Sequence, residues 1–304
     1  MPRLLVIMGA TATGKSELAM RLASETGAEI VSADALQIYR GLDIGTAKPT
    51  PEMRRRVRHH LLDVCDPRER FSAGEYAVRA GVVLADLDRR GKPGILAGGS
   101  GLYLRALLDG LSPLPQSDTE VRRALEERLE RQGLPVLYAE LQRLDPVTAE
   151  RLAPGDRQRI LRALEVERLS GRPLSSWIRD QPMGATPLEH AERIGLTLPR
   201  GILYDRIADR VGKMMERGWV AEVENLLRRG ARPEAPAFQA IGYRQLIKYL
   251  HGEWSLEEAV TDITRATRRY AKRQQTWFRK EKKVRWIPAD DLASRIPGLL
   301  SKLT

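Results

Sequence analysis

Residues 9–16 read Gly9-Ala10-Thr11-Ala12-Thr13-Gly14-Lys15-Ser16 and fit the pattern G-x-x-x-x-G-K-[ST] in full. Residues 4–8 before them form an apolar run of strand length, and residues 16–25 after them carry a helical pattern. Strand, glycine turn and helix in that order form the setting in which such a loop binds phosphate. The glycines let backbone N–H groups curl around phosphate oxygens, and the helix N-terminus adds a favourable dipole. Lys15 brings a positive charge to those oxygens, and the Ser16 hydroxyl can complete the shell of a Mg²⁺ ion. The loop also constrains the fold, because in open α/β sheets ligands bind outside the carboxyl ends of the strands.

The remaining pattern meets that demand. Residues 29–32 read as a second short strand, with Asp34 just beyond it. Residues 73–89 have helical period, Gly-Lys-Pro-Gly at 91–94 breaks it, and residues 95–97 read as a strand. Alternating strands and helices at this spacing predict a parallel sheet covered by helices. A proline-marked boundary, Leu-Ser-Pro-Leu-Pro-Gln-Ser-Asp, occupies residues 111–118. Residues 118–169 are helical in pattern and densely charged, a Pro- and Gly-rich loop covers 171–187, and a strand is expected at 194–198. Further helices are expected near 200–217, 219–229 and 255–280. The fold class is therefore α/β, a P-loop NTPase-like parallel sheet core flanked by helices. Residues 1–115 and 193–304 form the core, and residues 116–192 a helical insertion domain.

No run of about 18 uncharged apolar residues occurs, so a membrane-spanning helix is not expected. The apolar start runs into the glycine loop with no small-residue cleavage site, and is read as a core strand and not a signal peptide. The single cysteine, Cys65, excludes an internal disulfide framework and a multi-cysteine zinc site, and a cytoplasmic setting is expected. His59 and His60 form no metal pattern with other ligands and are assigned to loop packing. The net charge of +11 favours a polyanionic partner. It is densest at residues 265–285, with ten Lys or Arg against one acid, Glu281. Tyr270, Trp277, Phe278 and Trp286 are interleaved there, and density plus aromatics favour RNA contact over a merely solvated helix face.

The loop alone leaves open ATP, GTP or another diphosphate. A guanine reader usually shows N-K-x-D, and the one asparagine, Asn225, lies in Glu-Asn-Leu-Leu. The central strand ends Leu96-Ala97-Gly98-Gly99-Ser100, without the aspartate that holds Mg²⁺ in NTPases. Asp34 is the better-placed carboxylate. It is a candidate general base, or else a turn or N-cap aspartate.

Several longer pieces carry a resemblance. They are GATATGKS at 9–16, SADALQIYRGLDIGTAKP at 32–49, HHLLDV at 59–64 and GGSGLYLRALLDGLSPLP at 98–115. DRQRILRALEV at 156–166, YDRIADRV at 204–211, QAIGYRQL at 239–246 and RATRRYAKRQQTWFR at 265–279 follow in order. The set resembles the bacterial tRNA dimethylallyltransferases across nearly the whole chain. D-I-G-T-A-K-P and Q-R-x-x-R-A-L-E-V are far more distinctive than the phosphate loop. Two positions depart from the family habit: Ala35 stands where Ser is common, and Ser100 where Thr is common.

The resemblance implies transfer of a dimethylallyl group from dimethylallyl diphosphate to N6 of adenosine 37 of tRNA, beside the anticodon. The loop would then hold the donor's diphosphate, with Mg²⁺ held partly by Ser16. Asp34 would be the base, with Lys15, Arg206 and Ser100 also catalytic. The tRNA-contact segments implied are Asp34, Ala35, Leu36 and Gln37; Gln158, Arg159, Ile160, Leu161 and Arg162; and Gln239, Ala240, Ile241, Gly242, Tyr243 and Arg244. Ser100 and Arg122 join them. The chain is expected to act as a monomer on the tRNA anticodon stem-loop, away from membranes. Two other readings use the same loop: a small-molecule or nucleotide kinase with an arginine-rich lid at 156–172, and a non-enzymatic RNA-binding protein.

Overall fold

The structure is a computed structural model that describes residues 3–180, 188, 191–281 and 283–303. In chain order, the apolar run forms β1 (Leu4–Gly9), and the glycine loop leads into α1 (Lys15–Thr26). There follow β2 (Glu29–Ser32), α2 (Pro51–Arg56), β3 (His59–His60), α3 (Ala73–Arg89), β4 (Gly94–Gly98) and α4 (Gly101–Leu108). A helical stretch comes next: α5 (Thr119–Gln132), α6 (Leu134–Leu144), α7 (Pro146–Arg151), α8 (Arg157–Ser170) and α9 (Leu174–Asp180). The chain continues through β5 (Glu192–Thr197), α10 (Arg200–Glu216), α11 (Trp219–Arg228), α12 (Tyr243–Leu250), α13 (Leu256–Phe278), β6 (Val284–Pro288) and α14 (Leu292–Leu300). The helix expected at 73–89 starts where a reciprocal capping box allows it, with Ser72 and Glu75 each bonding the other's backbone N–H.

Two compact units result, one of Met1–Leu108 with Pro187–Thr304 and one of Asp109–Thr186. The first holds a six-stranded sheet in the order β3-β2-β4-β1-β5-β6, with every neighbouring pair parallel. Alternate residues of β1 face opposite sides. Leu5 and Ile7 join Ile30, Ile95, Ile194 and Leu196 beneath Leu18 and Leu22 of α1 and Ile296 and Leu299 of α14. Val6 and Met8 join Val31, Leu96 and the buried faces of α3, α4, α12 and α13. Each fully buried aliphatic side chain here contributes about 1.5–3 kcal/mol, and the two faces fix the register of the sheet. The ends of β1, β2 and β4 consequently emerge along one edge.

Among its described residues the second unit's secondary structure is helical, and it has its own core, built from Leu125, Leu137, Leu141, Ile160, Leu161 and Leu164. The split lies a few residues before the expected limits of 116 and 192. The loop expected at 171–187 contains a helix, α9. Among the described residues no helix is long and apolar enough to cross a membrane.

His59 and His60 belong to an edge strand and not a loop. His60 Nε2 lies 2.6 Å from Glu29, and Arg90 grips the same carboxylate at 2.6 and 2.9 Å. Glu29 is only 8% exposed, and Arg90 chiefly, then His60, hold its carboxyl down at about 2 against the effect of burial. This cluster ties β2, β3 and the end of α3 together.

Candidate active site

A cavity of about 750 Å³ opens beside the glycine loop, lined by Thr13, Gly14, Lys15 and Ser16. Helix α10 supplies a second wall with Arg206, Arg210 and Lys213, spaced at helical intervals on one face, and Arg217 at its C-cap continues it. The loop is folded back on itself: the Thr13 hydroxyl and Lys15 Nζ both donate to the Ala10 carbonyl. Lys15 is half-buried, and desolvation first, then the neighbouring Arg210, bring its pKa down to about 8, while Asp34 and Glu17 oppose the shift. Burial also lowers Arg210, again against the attraction of Asp34 and Glu17. Three α10 cations, Arg217 just beyond them and Lys15 around one cavity make a site for a highly charged anion. The sequence reading put Arg206 here and missed Arg210. Its place in Tyr-Asp-Arg-Ile-Ala-Asp-Arg-Val, one turn after Arg206, was the available signal.

Asp34 does not line that cavity. It stands past the end of β2, half-buried, and its Oδ1 accepts from the backbone N–H of Leu36 (2.9 Å) and Gln37 (3.4 Å). One carboxylate oxygen thus makes the turn that was the alternative reading of this residue, and Oδ2 remains for other work. The β2 and β4 ends meet closely: Ala33 N donates to Ala97 O at 2.8 Å. A Cβ on Gly98 would lie 2.1 Å from Ala33 O, so only glycine fits. Ser100 Oγ accepts from Ala35 N at 2.8 Å, which leaves its O–H proton to donate elsewhere. That bond also commits the Ala35 backbone N–H, the group left for RNA contact in the absence of a side-chain hydroxyl.

Several residues expected to read tRNA are committed to the fold. Gln37, which is partly buried, donates to Thr46 O and Ala47 O (3.1 and 3.3 Å) and accepts from the Ser32 hydroxyl (3.0 Å), so its amide clamps a loop. Tyr243 is fully buried and donates to Glu222 at 2.7 Å, and Gly242 is buried against Trp219. Ile160 and Leu161 are core residues of the helical unit. Their side chains are not available to RNA. Leu36, Ala240 and Ile241 are partly buried, and Gln239 and Arg244 are exposed.

In the helical unit, Gln158 and Arg159 are exposed. Arg162 pairs with the fully buried Glu165 at 3.0 Å, and Arg122 approaches Glu165 at 3.9 Å while pairing with Glu126 at 3.0 Å, so both arginines are already matched by carboxylates.

On α13, Arg265, Arg269, Lys272 and Arg273 are exposed, so the cations expected at 265–285 do face solvent there. The aromatics among them mostly do not. Phe278 is core, Trp277 lies under Arg105 (4.5 Å to the ring centroid), and Trp286 packs on Gly195. Tyr270 lies near Asp34; burial raises its hydroxyl to about 12 and Asp34 adds to the rise.

The distinctive piece at 43–49 is a latch. Lys48, whose side chain is fully buried, donates to Tyr39 O, Asp43 and Asp63 at 2.6–2.8 Å. From α11, Glu222 accepts from the backbone N–H groups of Asp43, Ile44 and Gly45 at 2.9, 2.6 and 3.3 Å. Ala47, Lys48, Pro49 and Thr50 are thereby fixed as a third wall of the cavity. Nothing in the local sequence pointed to Glu222, which lies 179 residues from Asp43.

Comparison with known proteins gives this geometry a context. The model of the family described as IPP transferase matches residues 37–281. A tRNA dimethylallyltransferase of Syntrophobacter fumaroxidans is 49% identical over 287 residues, covering 94% of this chain and 84% of that protein. The crystal structure of the tRNA isopentenylpyrophosphate transferase of Bacillus halodurans is 36% identical, covers 100% of this chain and 97% of its own, and superposes with a TM-score of 0.71. A eukaryotic dimethylallyltransferase acting on tRNA is 27% identical, with coverage of 97% and 76% and a TM-score of 0.79. The phosphate loop at the centre of a parallel sheet, the carboxylate beyond β2 and the matches over nearly the whole length agree, and the chain belongs to the IPP transferase family, that of the tRNA dimethylallyltransferases.

Proposed function

We propose that this enzyme transfers the dimethylallyl group of dimethylallyl diphosphate to N6 of adenosine 37 in tRNA and releases diphosphate. The observation that carries the reading is the placement of Asp34. It sits at the strand end next to a cationic cavity and acts electrostatically on both Lys15 and Arg210. A base for the acceptor thus adjoins a site for the donor's leaving group.

The exocyclic amine of adenine is a poor nucleophile because its lone pair is delocalised into the ring. As the N6–C1 bond forms and the C1–O bond breaks, the electron pair of the latter leaves on the diphosphate, and Asp34 takes the N6 proton. Lys15, the loop amides, Arg206 and Arg210 stabilise the charge growing on the departing oxygen. Ser100, fixed by Ala35, is left with an O–H to donate to the donor or the base. The adenine must leave the anticodon-loop stack to be reached. Exposed cations of α13, with Gln158, Arg159, Gln239 and Arg244, suit the RNA backbone and splayed bases.

A Mg²⁺ ion fits this donor set as one shared with substrate. Among the described residues no cluster of three carboxylates, imidazoles or thiols could cage a metal, whereas the Ser16 hydroxyl lines the cavity where diphosphate oxygens would complete a shell. When bound, the ion would neutralise charge on the leaving diphosphate. The enzyme acts as a monomer in the cytoplasm on this reading.

The test is transfer of label from dimethylallyl diphosphate to unmodified tRNA, with and without Mg²⁺, alongside ATP turnover. Mg²⁺-dependent labelling with no ATP consumed is expected. ATP turnover at enzymatic rates without prenylated RNA would favour the kinase reading.

A further inference from the structure

Gln274 lies on the inner face of α13 and is 7% exposed. Its Oε1 accepts from the backbone N–H of Thr11 at 2.9 Å, and its Nε2 donates to the carbonyl of Gly99 at 2.9 Å. The two partners belong to different strand ends, the phosphate loop after β1 and the turn after β4. They are separated from Gln274 by 263 and 175 residues.

The bond to Gly99 continues a chain of contacts. Ser100, the next residue, donates its N–H to Ala33 O at 3.1 Å, and its Oγ accepts from Ala35 N at 2.8 Å. Between those two contacts stands Asp34. A single amide therefore links the loop that would hold the donor to the segment that carries the carboxylate, through Thr11, Gln274, Gly99 and Ser100.

Chemistry selects this side chain. Position 274 must accept at one end and donate at the other, and an amide does both. A glutamate would keep the Thr11 bond but turn an oxygen toward the Gly99 carbonyl. An alanine would remove both bonds, leaving the part-buried Thr11 N–H and the buried Gly99 carbonyl without this partner. Gly99 belongs to the same device, because a Cβ there would sit 2.5 Å from Gln274 Nε2.

We propose that Gln274 is a positioning residue for the transfer step, setting the distance between donor and general base without touching either. The proposal rests on the reading of the loop as donor site and Asp34 as base. Displacing reacting groups by about 1 Å costs on the order of 10²-fold in rate. Gln274→Glu and Gln274→Ala should therefore lower the single-turnover rate constant by roughly 10–100-fold. Donor and tRNA dissociation constants should stay within about threefold, since the cavity walls and the cationic surface remain.

The experiment is single-turnover prenyl transfer with labelled dimethylallyl diphosphate at saturating tRNA, reading both the rate constant and the product amplitude. A merely structural residue would lower the amplitude, through inactive protein, and leave the rate constant of the remaining active sites unchanged. Should Gln274→Ala fail to fold, Gln274→Glu retains the Thr11 contact and gives the same reading. An unchanged rate constant in the folded variants overturns the proposal. Wild-type enzyme that binds the donor yet transfers nothing overturns the site reading and this inference with it.

Discussion

Replacing Asp34 by Asn separates two functions that the structure joins in one side chain. Oδ1 makes the turn through Leu36 N and Gln37 N, and an asparagine oxygen accepts those bonds equally well. Asp34→Asn should therefore keep its melting temperature and lose only the basicity of the group. A positioned general base is worth about 10²–10⁴-fold, which is about 2.7–5.4 kcal/mol of barrier. Single-turnover transfer should fall by that factor, with tRNA and donor affinity little altered, because proton removal belongs to the transition state. Asp34→Ala should show the same rate loss and also lose about 0.5–2 kcal/mol of stability with the turn. The assay is rapid-quench transfer at saturating substrates, paired with thermal unfolding. An Asp34→Asn enzyme with a near-normal rate constant would refute the assignment and leave Asp34 as a turn residue.

Other outcomes follow from the same geometry. With Lys15 titrating at about 8, donor binding should weaken several-fold as pH rises through that value, and Lys15→Met should bind poorly and lack the dependence when both are followed by calorimetry. In the unliganded protein the sign is opposite: the folded state binds fewer protons at Lys15 than the unfolded state between about 8 and the ordinary 10.5, so stability should rise with pH across that window. Neutralising Arg265, Arg269, Lys272 and Arg273 together should weaken tRNA binding and flatten its salt dependence while donor affinity holds, as measured by filter binding over a salt series. Gly45→Ala would place a Cβ 2.2 Å from Trp219 Nε1. It should cost about 1–3 kcal/mol in urea unfolding, because overpacked cores shift backbone.

What the sequence made legible was local. The phosphate loop, β1, β2, α3 and β4 are contiguous patterns with their own start and stop signals, and the structure places them as expected. β3 escaped because two residues, His59 and His60, carry no periodicity. β6 escaped because Val284–Pro288 directly follows a basic run that suggests a surface. Burial decides the rest, and burial is a property of distant partners. Tyr243, Gln37 and Trp277 look like RNA contacts by residue type, yet Glu222, Thr46 and Arg105 respectively have already engaged them. Gln274 and Glu222 lay in helical stretches with no signal to distinguish them, since each acts on backbone far away in sequence.

Nucleoside mass spectrometry of the anticodon loop, after incubation of the protein with unmodified tRNA, dimethylallyl diphosphate and Mg²⁺, reads donor, acceptor and position at once. N6-isopentenyladenosine at position 37, formed by the wild type and suppressed by Asp34→Asn, is the expected result. Tight donor and tRNA binding with every adenosine unmodified, or a prenyl group on another base, would contradict it.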